Sequence, residues 1–224
     1  MSHIASEIER LHKALEPYGA QLVAVSKFHP VAELKEAYNA GQRIFGESRA
    51  QELCEKIPQM SDDVRWHFIG HLQTNKVRGI VDKVSLIESV DSLHLLDCID
   101  REAKRKEIVV KVLMQLHVAA EETKSGFTPE ELLAYFESGG YQNLKATHIC
   151  GVMGMATNTS DITRIRNDFK TIRHTFDEIL RNAPEDFRGF DVVSMGMSGD
   201  WQIALEEGST MVRIGTDIFG PRNY

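Results

Sequence analysis

The chain has 224 residues, 42% of them hydrophobic and 26% charged, the balance of one globular core rather than of a disordered chain. Its formal net charge of -7 argues against a nucleic-acid backbone as main partner, because counterion-release binding needs a basic face. Three widely spaced cysteines, Cys54, Cys98 and Cys150, form no CxxC pair, so neither a disulfide framework nor a metal site is expected.

No run approaches the roughly 20 apolar residues of a membrane span, and the first residues carry charges where a signal peptide is apolar. A cytoplasmic protein with reduced thiols and no membrane partner is the expectation.

The first predicted element is an amphipathic helix over 4–15. Short apolar runs then alternate with amphipathic stretches. The run 21–26 precedes a helix over 31–40 opened by Pro30, 43–46 precedes 49–57, and 65–70 precedes 74–80. Further on, 84–90 precedes 92–106, 108–118 precedes 129–138, 146–155 precedes 161–182, and 191–197 precedes 201–207. The run 210–214 ends the series. Most runs are rich in Val, Ile, Leu and Met without strict alternation, as parallel strands buried on both faces are.

Local signals agree. Thr128-Pro129-Glu130-Glu131 is a capping box with proline at the first helical position. Gly41 and Gly208 each follow a helix and precede a strand, where a left-handed C-cap is wanted. The basic run 101–106 complements a helix C-terminus. Eight β-then-α units with short connections predict a single (β/α)8 barrel spanning 1–224, with the extra helix ahead of it. An open doubly wound sheet is the alternative, but no Gly-x-Gly-x-x-Gly follows the first strand.

In such a barrel the C-terminal strand tips face the functional mouth. Lys27 ends the first strand, an odd place for lysine. Burial disfavours an ammonium, and a neutral amine is what attacks a carbonyl. The alternative is a lysine that snorkels from the rim or pairs with a neighbour such as Glu47. Lys124 is the other lysine expected at the mouth, and the rest read as solvated helix faces or strand starts.

The segments Gly196-Met197-Ser198-Gly199-Asp200 and Arg213-Ile214-Gly215-Thr216 follow strands seven and eight, the recurrent phosphate position of this fold. Ser198 is placed at a helix start and Thr216 offers a hydroxyl, so a phosphate site is favoured over simple turns. Arg213 could bind phosphate, meet a cofactor ring, or pair with an acidic barrel residue. His67 and His71 straddle a strand and a turn, which disfavours a metal pair. The mouth methionines Met153, Met155, Met195 and Met197 read as packing.

These residues carry a resemblance. The segments Leu22-Val23-Ala24-Val25-Ser26-Lys27, Phe45-Gly46-Glu47, Trp66-His67-Phe68-Ile69-Gly70-His71-Leu72-Gln73, Thr123-Lys124-Ser125-Gly126, Ser194-Met195-Gly196-Met197-Ser198 and Val212-Arg213-Ile214-Gly215-Thr216 resemble the pyridoxal phosphate homeostasis protein family. The match runs essentially from Leu22 to Tyr224. It implies the barrel of the alanine racemase type and pyridoxal 5′-phosphate held as a Schiff base on Lys27. By the same resemblance Ser198, Gly215 and Thr216 hold the phosphate and Arg213 faces the pyridine nitrogen. Ser48 is a further cofactor-side candidate, where many members have the longer asparagine.

The chain ends soon after its eighth strand, leaving no room for the second domain that racemases lay over the mouth. The implied role is therefore storage, delivery and regulation of vitamin B6 without turnover, as a monomer with apo-enzymes that use the cofactor as possible recipients. A racemase-type enzyme using His67, His71 or Ser48 as base is the alternative, and a Schiff-base aldolase is a third reading from outside B6 chemistry.

Overall fold

The computed structural model describes residues 2–121, 125–184 and 187–221. Eight parallel strands, hydrogen-bonded in sequence order, close into a barrel. They are β1 (Gln21–Val25), β2 (Ile44–Glu47), β3 (Arg65–Phe68), β4 (Leu86–Val90), β5 (Val110–Leu116), β6 (Thr147–Gly154), β7 (Val192–Ser194) and β8 (Met211–Ile214). Closure is the β1–β8 pairing, in which Gln21 lies against Met211 and Ala24 against Ile214. The open sheet weighed above is thereby ruled out.

Helices surround the barrel: α1 (His3–Leu15), α2 (Val31–Asn39), α3 (Ala50–Lys56), α4 (Thr74–Ile80), α5 (Leu93–Arg105), α6 (Pro129–Glu137), α7 (Ile162–Asn182), α8 (Trp201–Glu206) and α9 (Thr216–Phe219). The expected capping box is present: Thr128 Oγ1 accepts the Glu131 N–H, and the Glu131 carboxylate accepts the Thr128 N–H. Gly41 and Gly208 have φ of 101° and 87°, which a side chain would make costly. Ser2 caps α1, whose Ile4, Ile8, Leu11 and Leu15 share one buried stripe.

The strands separate two apolar clusters by alternation, interrupted by register shifts in β4 and between β5 and β6. Leu22, Ala24, Phe45, Ile87, Val112, Met114, Val212 and Ile214 face outward into the layer beneath the helices. Val23, Ile44, Leu86, Leu113, Cys150, Met153 and Met211 form a second cluster that fills the barrel. The inward parity of each strand therefore decides which side chains can reach the mouth.

Two strands and one helix differ from the sequence reading. The apolar runs 65–70 and 191–197 stop being strand at Phe68 and Ser194, and their remaining residues form mouth loops. The short helix α9 directly after β8 has only four residues, too few to leave a periodic signal.

Candidate functional site

The barrel mouth holds a cavity of about 250 Å³. Lys27, His29, Ser198, Gly199, Arg213, Gly215 and Thr216 line it together, with the β8 tip directly beside the β1 tip that carries Lys27. Ile69, Met155 and Met197 supply apolar wall. Five of the six residues singled out from sequence are thus brought together. Ser48 is not: it lines a separate cavity of about 670 Å³ with Arg49, His71 and Lys76. The chain turns at Arg49 to start α3, which carries Ser48 to that side. Lys124 lies outside the described residues.

Lys27 continues the inward parity of Val23 and Val25. Behind it a tight turn is closed by the His29 N–H donating to Ser26 O at 3.1 Å. Phe28 within this turn has φ of 68°, a left-handed conformation that costs a non-glycine residue roughly 1–3 kcal/mol. Its surroundings offset that cost. The Arg49 guanidinium lies 4.5 Å from the Phe28 ring centre, and the Phe28 N–H donates to Glu52 Oε1 at 2.6 Å. His29 stacks on Phe219 of α9 at 4.9 Å and pairs through Nδ1 with Glu33 at 2.9 Å.

Outward parity places Ser26 and Glu47 beneath α3. Glu47 Oε1 accepts from Ser26 Oγ at 2.6 Å and from Lys56 Nζ at 2.7 Å. Burial pushes the Glu47 carboxyl above its ordinary value, against the charge and hydrogen bonds of Lys56 and the hydrogen bond of Ser26. Lys56, expected on a solvated helix face, is instead buried. It is needed there because Glu47 is fully enclosed.

In the loop after β7, Ser198 and Gly199 form the corner of a turn in which the Asp200 N–H donates to Met197 O at 3.0 Å and Asp200 Oδ1 accepts the Met197 N–H at 2.6 Å. Ser198 therefore precedes α8 by a full turn instead of starting it. Gly215 is constrained by close approach: a Cβ there would lie 3.1 Å from Val25 O. Thr216 begins α9, and the first N–H groups of a helix find no acceptor within it. Hydroxyls and glycine backbone converge on one end of the cavity, an arrangement suited to an anion.

Beneath the cavity an ionic cluster replaces apolar filling. Arg213 donates from Nη1 to Ser194 Oγ (2.6 Å) and Ser194 O (2.9 Å), and from Nη2 to Gly154 O (3.0 Å). Ser194 Oγ donates to Glu88 Oε2 at 2.6 Å, and His67 Nδ1 meets Glu88 Oε1 at 2.7 Å. Burial alone would raise the Glu88 carboxyl, but His67, Arg213 and Ser194 together hold it below its ordinary value. Burial pulls Arg213 down, opposed by Glu88 and Asp200, yet a guanidinium stays charged at physiological pH. Of the three roles weighed for it, Arg213 shows the pairing with an acidic barrel residue, and it also borders the cavity.

Sequence reading missed Glu88, His29 and the Glu47–Lys56 pair. Glu88 had a signal, an acid at an inward position of the apolar run Leu86-Ile87-Glu88-Ser89-Val90. His67 and His71, weighed as a metal pair, each bond a carboxylate instead, Glu88 and Asp91 respectively.

Residues 1–223 match the family described as alanine racemase, N-terminal domain. A protein of Aquifex aeolicus named pyridoxal phosphate homeostasis protein is 40% identical over 97% of this chain and 96% of its own length. PipY of Synechococcus elongatus PCC7942, solved with PLP bound, superposes with a TM-score of 0.87 at 36% identity, covering 97% of this chain and all of that one. Alanine racemase from Bartonella henselae shares the fold at a TM-score of 0.75 and 15% identity, with 59% of its chain covered.

Proposed function

The chain belongs to the alanine racemase N-terminal domain family and, within it, to the pyridoxal phosphate homeostasis proteins, and from that premise we propose that it binds pyridoxal 5′-phosphate on Lys27 and serves vitamin B6 homeostasis. The observation that carries the site assignment is one mouth cavity lined both by the Lys27 amine and by the Ser198, Gly215 and Thr216 segments. A Cβ at Gly215 would crowd Val25 O of β1 at 3.1 Å, so glycine suits the close packing of the β8 tip on the β1 tip. Bound there, the cofactor supplies an aldehyde carbon for the Lys27 amine to attack, with one water lost and a Schiff base formed.

The protein's own groups have separable tasks. Ser198, Gly215 and Thr216 hold the phosphate, and Arg213 borders the ring with a fixed positive charge that disfavours protonation of a nearby pyridine nitrogen. Such a ring is a weak electron sink, which suits holding and handing over cofactor better than turnover. His67 supports the same reading, because it is buried against Glu88 rather than lining the cavity. We place storage and delivery ahead of racemisation on these grounds. Apo-enzymes that use the cofactor are the recipients in this reading, and the 1–224 chain acts as one monomeric cytoplasmic unit. No described helix is long and apolar enough to cross a membrane.

Reduction of the cofactor-loaded protein with borohydride, followed by peptide mapping, tests the proposal. Lys27 should carry the reduced adduct; label on Lys124 or elsewhere defeats the assignment. Ser198→Ala combined with Thr216→Ala should weaken cofactor affinity by about 10- to 100-fold, the scale of losing hydrogen bonds to a charged group. Borohydride trapping at saturating cofactor should persist, and an unchanged affinity in a titration would put the phosphate elsewhere.

A further inference from the structure

Lys27 lies on a turn that is fastened from outside the cavity. Lys56, at the end of α3, donates from Nζ to Ser26 O at 2.7 Å, Glu47 Oε1 at 2.7 Å and Glu52 Oε1 at 2.6 Å. That same Glu52 oxygen accepts the Phe28 backbone N–H at 2.6 Å. None of Glu47, Glu52 and Lys56 lines the cavity. Phe28, the residue directly after the amine, is one of two non-glycine residues with positive φ among those described.

We infer that Glu52 is a positioning residue for Lys27: its carboxylate pins the Phe28 amide to α3 and so keeps the Ser26-to-His29 turn aiming the lysine into the cavity. The inference rests on the cofactor reading above and deepens it. A left-handed phenylalanine relaxes to negative φ unless its neighbours prevent it, and that rotation re-aims the residue before it. Three features oppose the relaxation. Arg49 covers the ring, Lys56 ties the outer end of β1 to α3, and Glu52 holds the amide itself. Glu52 acts on the Phe28 N–H itself, alongside the turn's own bond from the His29 N–H to Ser26 O. Glu52 is also held from its far side, since Lys56 fixes the same oxygen against the buried Glu47. Attack on a carbonyl needs the amine held at reacting distance and angle, and small misplacements cost large factors in rate. The anion loops after β7 and β8 do not share these bonds. Loosening the pin therefore slows bond formation at Lys27 without weakening the hold on phosphate.

Glu52→Ala and Glu52→Gln separate the pin from general stability. Glutamine keeps an oxygen for the Phe28 N–H, alanine does not, and Lys56 retains Glu47 and Ser26 O in both. Three readouts are taken: hydrogen exchange at the Phe28 amide in the cofactor-free protein, the rate of borohydride-trapped adduct formation at Lys27, and affinity for inorganic phosphate. In Glu52→Ala the Phe28 amide should exchange at least tenfold faster, and the trapping rate should fall by about 10- to 100-fold. Phosphate affinity should stay within about twofold, and Glu52→Gln should recover most of both losses. Should Glu52→Ala melt, Glu52→Met preserves the side-chain bulk without the acceptor and must show the same pattern. A trapping rate unchanged in Glu52→Ala, or equal losses in the alanine and glutamine variants, overturns the inference. No adduct at Lys27 in the unmodified protein sinks the cofactor reading instead, and Phe28 exchange in the cofactor-free variants then decides the pin alone.

Discussion

Lys27→Ala is expected to abolish the cofactor's Schiff-base absorbance band and all borohydride trapping at this cavity, while the melting temperature moves little. The large effect on chemistry follows from the loss of the amine at the mouth, for which neither His29 nor Arg213 offers a substitute: an imidazole forms no stable imine, and a guanidinium stays protonated. The small effect on stability follows from the packing. Lys27 is only half-buried, and the bonds that shape its turn belong to Ser26, Phe28, His29, Glu52 and Lys56. The variant should still bind inorganic phosphate, because Ser198, Gly215 and Thr216 are untouched. Retention of the band in spectra of the purified variant would move the covalent site to another lysine and undo the assignment. A loss of phosphate binding would mean that the two ends of the cavity are coupled.

The architecture was legible because parallel strands buried on both faces leave unbroken apolar runs, and all eight runs are strands. Their ends were less legible, since apolar residues such as Ile69 and Met195 continue past the strand ends into the mouth loops. Barrel geometry then carried the site reading a long way. Lys27 and Arg213 are inward by parity and near their strand tips, and the loops after β7 and β8 adjoin β1 across the closure. Ser48 shows the limit of that rule. It has the inward parity of Ile44 and Gly46, but the chain has already left the strand and α3 draws it into the neighbouring cavity. Lys56 shows a second limit. At the end of a short helix it reads as solvated, and only the three-dimensional placement of Glu47 on the outer face of β2 makes its burial understandable. Ion pairs between elements have no periodicity, so a single sequence does not announce them.

Glu88→Gln is expected to destabilise the fold by about 3–5 kcal/mol, the usual consequence of leaving a buried charge without its partner. Glutamine fills the same space and can still meet His67 and Ser194, so the loss isolates the charge of Arg213, whose guanidinium sits 3.8 Å from Glu88 Oε2 in the barrel interior. Against a typical total of about 5–15 kcal/mol this is a large fraction.

The pH dependence supplies a second test with a definite sign. Glu88 is held below its ordinary value in the folded chain: burial opposes this, but the hydrogen bond and charge of His67, the charge of Arg213 and the hydrogen bond of Ser194 prevail. The folded state therefore binds fewer protons here than the unfolded one. The stability it confers is present above an unfolded carboxylate value of about 4.3 and is lost as pH falls through the folded value. Glu47 has the opposite sign, because burial raises it, so its contribution is fullest below about pH 4.3 and is lost as pH rises through its folded value. Denaturant titrations over an acidic pH series should show Glu88→Gln with a flatter loss of stability on acidification, and Glu47→Gln with a steeper one. An acid limb unchanged in Glu88→Gln would mean that the cluster beneath the cavity does not hold that carboxylate ionised. Arg213, charged in either case, would then lack an ionised partner at Glu88.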